Sequence, residues 1–220
     1  LAQLLGDMHP EDWETQTVCE DWNVRLMVAH LLGAAEGNAS PVENVRQLAK
    51  GKMLSRRLGV ELVDGINGVQ VEARRQLSPD ELITRIDAIA PKAVAGRKRT
   101  PGLLRRIKVP TGVGYDMTLG QLADRVYTRD QWMHRIDITA AIDREMVLTP
   151  EHDGRIVEDV VLEWANAHGE PFELVLHGPA GGAFRNGIDG VGITMDAIEF
   201  CLALAGRLDK PMSLATPIVF

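Results

Sequence analysis

The chain has 220 residues, of which 45% are hydrophobic and 25% charged, and its formal net charge is −7. This composition suffices for one large domain or two small ones with a substantial core, and the negative charge argues against a nucleic-acid partner. No apolar run approaches the roughly 20 residues of a membrane-spanning helix, so no membrane partner is expected. Two cysteines, Cys19 and Cys201, are too few for a disulfide framework, which favours a cytoplasmic location.

Helical patterns fill the N-terminal half of the chain, at residues 1–7, 21–37, 41–77 and 78–95. The second pattern has His30 on its apolar face. Gly51 and Gly59 favour a kink or break within the third. Ser78 begins the fourth, because Ser, Pro and Glu at positions 78, 79 and 81 match a helix N-terminus. Residues 99–116 contain two prolines and three glycines and are expected to be a connector, with a lid as the alternative.

Residues 118–143 are predicted to form a helix with Thr118 as its N-cap. Asp130, His134 and Asp137 project from the apolar side of this helix, at spacings of four and three residues. An unpaired ionised group costs several kcal/mol when it is buried. These three side chains must therefore be satisfied by one another, by a partner or by a cation.

A metal ion is the first interpretation, because a carboxylate and a histidine at i and i+4 point the same way and can reach one ion. Two ligands are too few, and His30 is available as a third. The alternative is a dry, hydrogen-bonded core without metal, with Arg129 or Arg135 near the His–Asp pair. Asp137 is predicted either to accept a hydrogen bond from a ligating imidazole or to bond to an arginine and hold the helix.

After Pro150 the pattern changes to a mixture of strands and helices, predicted as a helix over 151–168, a strand over 172–177, a glycine-rich turn over 178–190, a strand over 191–193, a helix over 194–208 and a short segment over 212–215. The glycine-rich turn lacks Gly-Lys-Ser/Thr, so a phosphate-binding loop is rejected. His168 and His177 are expected at a helix end or in solvent. The predicted domains are a helical bundle over 1–146 and a small α+β domain over 147–220.

Three stretches of sequence resemble the mycothiol-dependent maleylpyruvate isomerase family: residues 19–33 (CEDWNVRLMVAHLLG), 127–138 (YTRDQWMHRIDI), and 181–184 with 203–207 (GGAF and ALAGR). The resemblance spans nearly the whole chain. It implies an α+β fold in which a DinB-like, metal-binding four-helix bundle precedes a small α/β C-terminal domain. It also implies an actinobacterial source.

The resemblance carries the family's metal ligands onto His30, Asp130 and His134. Asp130 stands where better-known members have glutamate, so an ion would have to sit nearer this helix. Zinc is the favoured ion, although nickel, iron or manganese would accept the same ligands. Trp22 is expected to pack beside the cleft and to contact the cofactor, with a plain core tryptophan as the alternative. Arg207 is expected to bind a substrate carboxylate.

Two functions follow from the resemblance and from a metal with an open coordination position. The first is a mycothiol-dependent isomerase or S-transferase, in which the metal activates the thiol for attack on a small electrophile. The second is a non-catalytic, metal-binding bundle that senses or sequesters a small ligand. The expected partners are a small thiol and an electrophilic substrate, and the chain is expected to be a monomer or a homodimer.

Overall fold

The computed structural model describes residues 1–110, 115–209, 214–216 and 218–220. By compactness the chain forms two units. The first is Leu1–Ile107 with His134–Arg144, and the second is Lys108–Met133 with Glu145–Phe220. Compact units need not coincide with domains of sequence, so the division into 1–146 and 147–220 stays a prediction. Part of the short segment predicted at 212–215, and part of the connector predicted at 99–116, lie outside the described residues.

The first unit is helical, with α1 (Ala2–Gly6), a 3₁₀ turn (Pro10–Glu14), α2 (Val24–Ala39), α3 (Pro41–Leu58), α4 (Leu62–Glu72), α5 (Pro79–Arg99) and α6 (Gly102–Arg105). Helix α2 is central, because it packs against α3, α4 and α5. Its buried side chains, among them Met27, Leu31 and Leu32, form one apolar core with Leu82 and Ile86 of α5. This core is what fixes the position of α2.

The predicted helix boundaries in this unit are largely confirmed. Gly59 adopts a left-handed conformation (φ 70°) and ends α3, whereas Gly51 lies inside that helix. The Ser78 hydroxyl accepts a hydrogen bond from the Glu81 amide, and the Glu81 carboxylate accepts one from the Ser78 amide. Helix α5 continues to Arg99, past the predicted end at Ala95.

The helix predicted over 118–143 is present as a nearly continuous run, formed by α7 (Leu119–Gln121), a π-helical segment (Leu122–Val126) and α8 (Tyr127–Ala141). Thr118 is its N-cap, as predicted, and accepts a hydrogen bond from the Gln121 amide. The π-helical segment adds a wider turn just before α8 begins, a feature frequent near functional sites.

The second unit contains a two-stranded sheet, a three-stranded sheet and two further helices. Its strands are β1 (Lys108–Pro110), β2 (Asp116–Thr118), β3 (Phe172–His177), β4 (Gly182–Asn186) and β5 (Val191–Asp196), and its helices after α8 are α9 (Arg155–His168) and α10 (Ala197–Leu204). Strands β1 and β2 form the two-stranded sheet, and the three-stranded sheet has the order β4-β3-β5, with β3 antiparallel to β4 and parallel to β5. The mostly helical N-terminal region and the small C-terminal sheet confirm the predicted α+β class.

Two predictions for this unit were wrong in detail. The glycine-rich stretch 178–190 contains the strand β4 and is more than a turn. Residues 194–196 belong to β5, where they pair with 175–177, so α10 begins at Ala197 and not at Thr194. The Asp196 carboxylate accepts hydrogen bonds from the amides of Ile198 and Glu199, which sets the start of the helix.

The first turns of α8 are held within the second unit by a buried arginine. Arg129 is 1% exposed, and its guanidinium donates to the Asp159 carboxylate (2.6 and 3.0 Å), to Glu163 (2.8 Å) and to the Val219 carbonyl (3.0 Å). Trp132 donates to the Asp153 carboxylate from the same side of the helix. These bonds fix the rotation of α8 about its axis.

Among the described residues, no helix has both the length and the apolar content needed to cross a bilayer.

Candidate metal centre

His30 lies two turns into α2, on its buried face. Asn23 caps this helix by accepting a hydrogen bond from the Leu26 amide (3.0 Å), and the apolar side chains that follow bury the same face. His30 is therefore only 3% exposed, with Met27 and Ala34 among its buried neighbours in the helix. The predicted burial of this histidine is confirmed.

Helix α8 carries the other three predicted residues. His134 and Asp137 are 7% and 3% exposed, and Asp130 is partly buried. The Nδ1 atom of His134 lies 2.9 Å from an Asp137 carboxylate oxygen. Because an ionised carboxylate can only accept, the ring donates through Nδ1. The Nε2 atom is then the nitrogen available to a metal. The hydrogen bond predicted between Asp137 and an imidazole is thus present.

Three potential ligands come together here. One ligand atom each from His30, Asp130 and His134 lie within 4.8 Å of one another. The two imidazole rings are 5.2 Å apart between centroids and nearly perpendicular, at 82°. Two nitrogens and one carboxylate oxygen suit zinc and related divalent ions. Three protein ligands also leave a position open, which is the pattern of catalytic and not of structural zinc sites. The donor set therefore fits the implied metal.

Trp22 forms a wall beside the two histidines. Its ring stacks on His30 with 5.0 Å between centroids, and it lies 6.1 Å from the ring of His134. The tryptophan is also partly buried against the apolar core, so it has a structural contact as well. Its predicted place beside the histidines is confirmed, whereas its role toward a cofactor stays a prediction.

Cys19 was not identified from the sequence as a member of this cluster. Its Sγ atom, a ring nitrogen of His134 and a carboxylate oxygen of Asp137 lie within 4.8 Å of one another. No spacing rule links a residue in the loop before α2 with a helix more than 110 positions later. The only available signal was that Cys19 begins the stretch that resembles the family.

The other predicted residues lie in the second unit. Arg207 follows α10, just after Gly206, which has a positive φ of 73°. Its role in binding substrate stays a prediction. His168 is the last residue of α9 and stacks on Trp164 (4.8 Å, 13°), which agrees with its predicted place at a helix end. His177 is exposed at the end of β3, as expected.

Comparison with known proteins identifies the family. The family model of the mycothiol maleylpyruvate isomerase N-terminal domain matches residues 1–139. No curated protein matches the sequence. Two solved structures resemble the chain over its whole length and over 90% of theirs, at 16% identity: the crystal structure of the mycothiol-dependent maleylpyruvate isomerase (TM-score 0.55) and that of a histidine-to-alanine mutant of it (0.54). They show a shared fold. Because the family model covers well over half of the chain, the chain belongs to the mycothiol maleylpyruvate isomerase N-terminal domain family.

Proposed function

We propose that the chain is a divalent-metal-dependent enzyme that uses a small thiol, mycothiol, to isomerise or to modify a small electrophile. The observation that carries this proposal is the cluster of His30, Asp130 and His134, whose ligand atoms lie within 4.8 Å of one another. Membership of the family supplies the thiol and the class of substrate. Zinc is the proposed ion, since it accepts two imidazoles and a carboxylate.

The three residues would hold the metal, and its own contribution is to favour the thiolate form of a bound thiol near neutral pH. His134 presents Nε2, since Nδ1 donates to Asp137. The negative charge of Asp137 raises the basicity of this ring and fixes its orientation. Asp137 is thus a positioning residue. Asp130 supplies the one negative charge among the three ligands, which leaves the centre able to attract an anionic thiolate.

The aromatic rings of Trp22, His30 and His134 favour the binding of a thiol at the proposed centre. Trp22 stacks on His30 and holds that ring in one orientation. Trp22 covers one side of His30, and both histidines are buried, so little water reaches that side of the centre and electrostatic attraction there is strengthened. We propose that the thiol cofactor lies against Trp22. Arg207 is the proposed partner of a substrate carboxylate, on the family resemblance alone.

The first test is metal content per chain, measured by plasma mass spectrometry on the wild type, Asp130→Ala and His134→Ala. Asp87→Ala and His177→Ala are matched controls, because both side chains are exposed. All proteins are measured after alkylation of Cys19, whose thiol also lies close to His134. We expect about one divalent ion in the wild type and the controls, and little in the two ligand variants. Less than about a tenth of an equivalent in the wild type after incubation with zinc would refute the metal centre.

The second test asks whether the loaded protein turns over. Mycothiol and other thiols are offered with maleylpyruvate and with chlorodinitrobenzene, and loss of free thiol or of electrophile is followed. We expect turnover that Asp130→Ala abolishes and that the two control variants retain. Full metal occupancy without turnover across the panel would instead identify a binding protein that senses or sequesters its ligand.

A further inference from the structure

Cys19 sits in a turn that is held rigidly before α2. Its carbonyl accepts hydrogen bonds from the Trp22 amide (2.8 Å) and from the Gln16 side chain (2.9 Å), and its own amide donates to the Thr17 hydroxyl (3.2 Å). Thr17 is itself buried, at 6% exposure. The backbone that carries the thiol is therefore fixed at both of its polar groups, and Cys19 is only partly exposed.

This turn brings the thiol close to the pair of His134 and Asp137, in which Nδ1 of the ring lies 2.9 Å from the carboxylate. Cys19 Sγ, a ring nitrogen of His134 and an oxygen of Asp137 form a second group of potential ligands, all within 4.8 Å of one another. All three belong to the first unit. Sulfur, nitrogen and oxygen ligands in a tetrahedral zinc-type site are about 3.3–3.7 Å apart. Side-chain movements of about 1 Å would close the group around an ion.

We propose that Cys19, His134 and Asp137 form a second metal site, which selects thiophilic divalent ions such as Cd²⁺ and Zn²⁺. The thiolate is the reason for this selectivity, because soft sulfur ligands disfavour Mg²⁺, Ca²⁺ and Mn²⁺. An ion here takes His134 through Nδ1, in place of the proton that this nitrogen shares with Asp137. Binding releases the thiol proton to solvent, and the Nδ1 proton moves to Nε2 by way of solvent.

The second site excludes the first. A neutral imidazole offers one lone pair, so a ring that binds an ion through Nδ1 carries its proton on Nε2. His134 can then no longer serve the group that it forms with His30 and Asp130. A thiophilic ion at Cys19 therefore competes with the proposed catalytic ion. The inference concerns a different set of ligands and does not depend on the proposed activity.

The chain contains its own control thiol. Cys201 is fully buried in α10, at 0% exposure, and burial raises the pKa of its thiol. It lies in the second unit, and no group of potential metal ligands found among the described residues includes it. Alkylation of the native protein should therefore modify Cys19 and spare Cys201.

The test is a titration with Cd²⁺, followed through the ultraviolet charge-transfer absorption that only a cadmium–thiolate bond produces. The full chain is used as wild type, Cys19→Ser, Cys201→Ser and Asp130→Ala, and equilibrium dialysis measures the bound ion independently. We expect the band in the wild type, Cys201→Ser and Asp130→Ala, saturating at about one equivalent, and no band in Cys19→Ser. Native wild type alkylated at Cys19 should also lack the band, which covers the case that Cys19→Ser folds poorly.

Two results would overturn the inference. If cadmium binds to the wild type without a charge-transfer band, Cys19 is not a ligand, while the group of His30, Asp130 and His134 is left intact as the bound site. If no cadmium binds at all, the second site does not exist. The zinc content of Asp130→Ala after alkylation of Cys19 decides the proposed function separately, because alkylation removes the second site and Asp130 belongs only to the first group.

Discussion

Replacement of Glu43 by glutamine should destabilise the protein at neutral pH and less so in acid. Glu43 accepts two hydrogen bonds of 2.6 Å from Arg46 and one of 2.9 Å from Gln47, and it lies 3.5 Å from Arg74. The bonds from Arg46 are the main cause that lowers the pKa of this carboxyl from 4.5 to about 2. The site matters to α2, because Gln47 also donates to the Gly33 carbonyl, one turn beyond His30.

The size and sign of the effect follow from the two pKa values. A shift from 4.5 to about 2 corresponds to about 3 kcal/mol, and screening of this 21% exposed side chain reduces that to on the order of 2 kcal/mol. The folded-state pKa is the lower one, so this stability is fully present above pH 4.5. It is lost as the pH falls from 4.5 through about 2.

Urea denaturation of the wild type and Glu43→Gln, at about pH 7 and about pH 3, measures the effect. We expect the difference in free energy of unfolding to be on the order of 2 kcal/mol at the higher pH and to fall to about 1 kcal/mol at the lower, because the folded carboxyl is still largely ionised at about pH 3. Glu72→Gln is the control, since Glu72 is 76% exposed and 3.8 Å from Arg75, and it should change stability little. A difference for Glu43→Gln that stays constant with pH would show that lost packing, and not ionisation, is the cause.

Three further changes test the site and its supports. Asp137→Asn should weaken metal affinity about 10- to 100-fold, by chelator competition, while the unfolding temperature of the metal-free protein changes little; an unaltered affinity would refute its positioning role. Gly33→Ala should cost about 1–3 kcal/mol in urea denaturation, because the added Cβ would lie 2.6 Å from Cβ of Gln70, whereas Gly102→Ala, in open space, should be nearly neutral. Arg207→Lys should raise KM for a carboxylate substrate and leave the metal content unchanged. A fall in kcat with an unchanged KM would contradict carboxylate binding.

The features predicted correctly from sequence are those that local chemistry determines. Ser78 begins a helix because its hydroxyl and the Glu81 carboxylate satisfy exposed amides, and Gly59 ends one because it tolerates a positive φ. Both effects act within four residues. The strand β4 was missed because it lies in a glycine-rich stretch, and glycine has a low strand propensity. The strand forms because residues 182–186 pair antiparallel with the preceding strand β3.

The candidate site shows the same division. The spacing of Asp130, His134 and Asp137 could be read from one helix, because i, i+4 and i+7 share a face. His30 was available as a third ligand because it lies on the apolar face of another helix, and the family resemblance supplied its pairing with His134. The approach of Cys19 to His134 was predicted by neither, because it depends on the turn that Gln16 and Thr17 hold in place.

The contacts of helix α8 explain why its sequence is weakly amphipathic. Arg129 and Trp132 bond to Asp159 and Asp153 on one side, while His134 and Asp137 form the metal-facing pair. Each member of the second pair follows its counterpart by five residues, which rotates it by about 140° around the helix axis. Two opposed faces of one helix therefore carry buried polar groups, and a single apolar stripe cannot form. The hydrogen bonds of the first face resist rotation of α8, so the direction of the second face depends on them. For this reason Arg129, whose guanidinium bonds to Asp159, Glu163 and Val219, should be as intolerant of substitution as the ligands themselves.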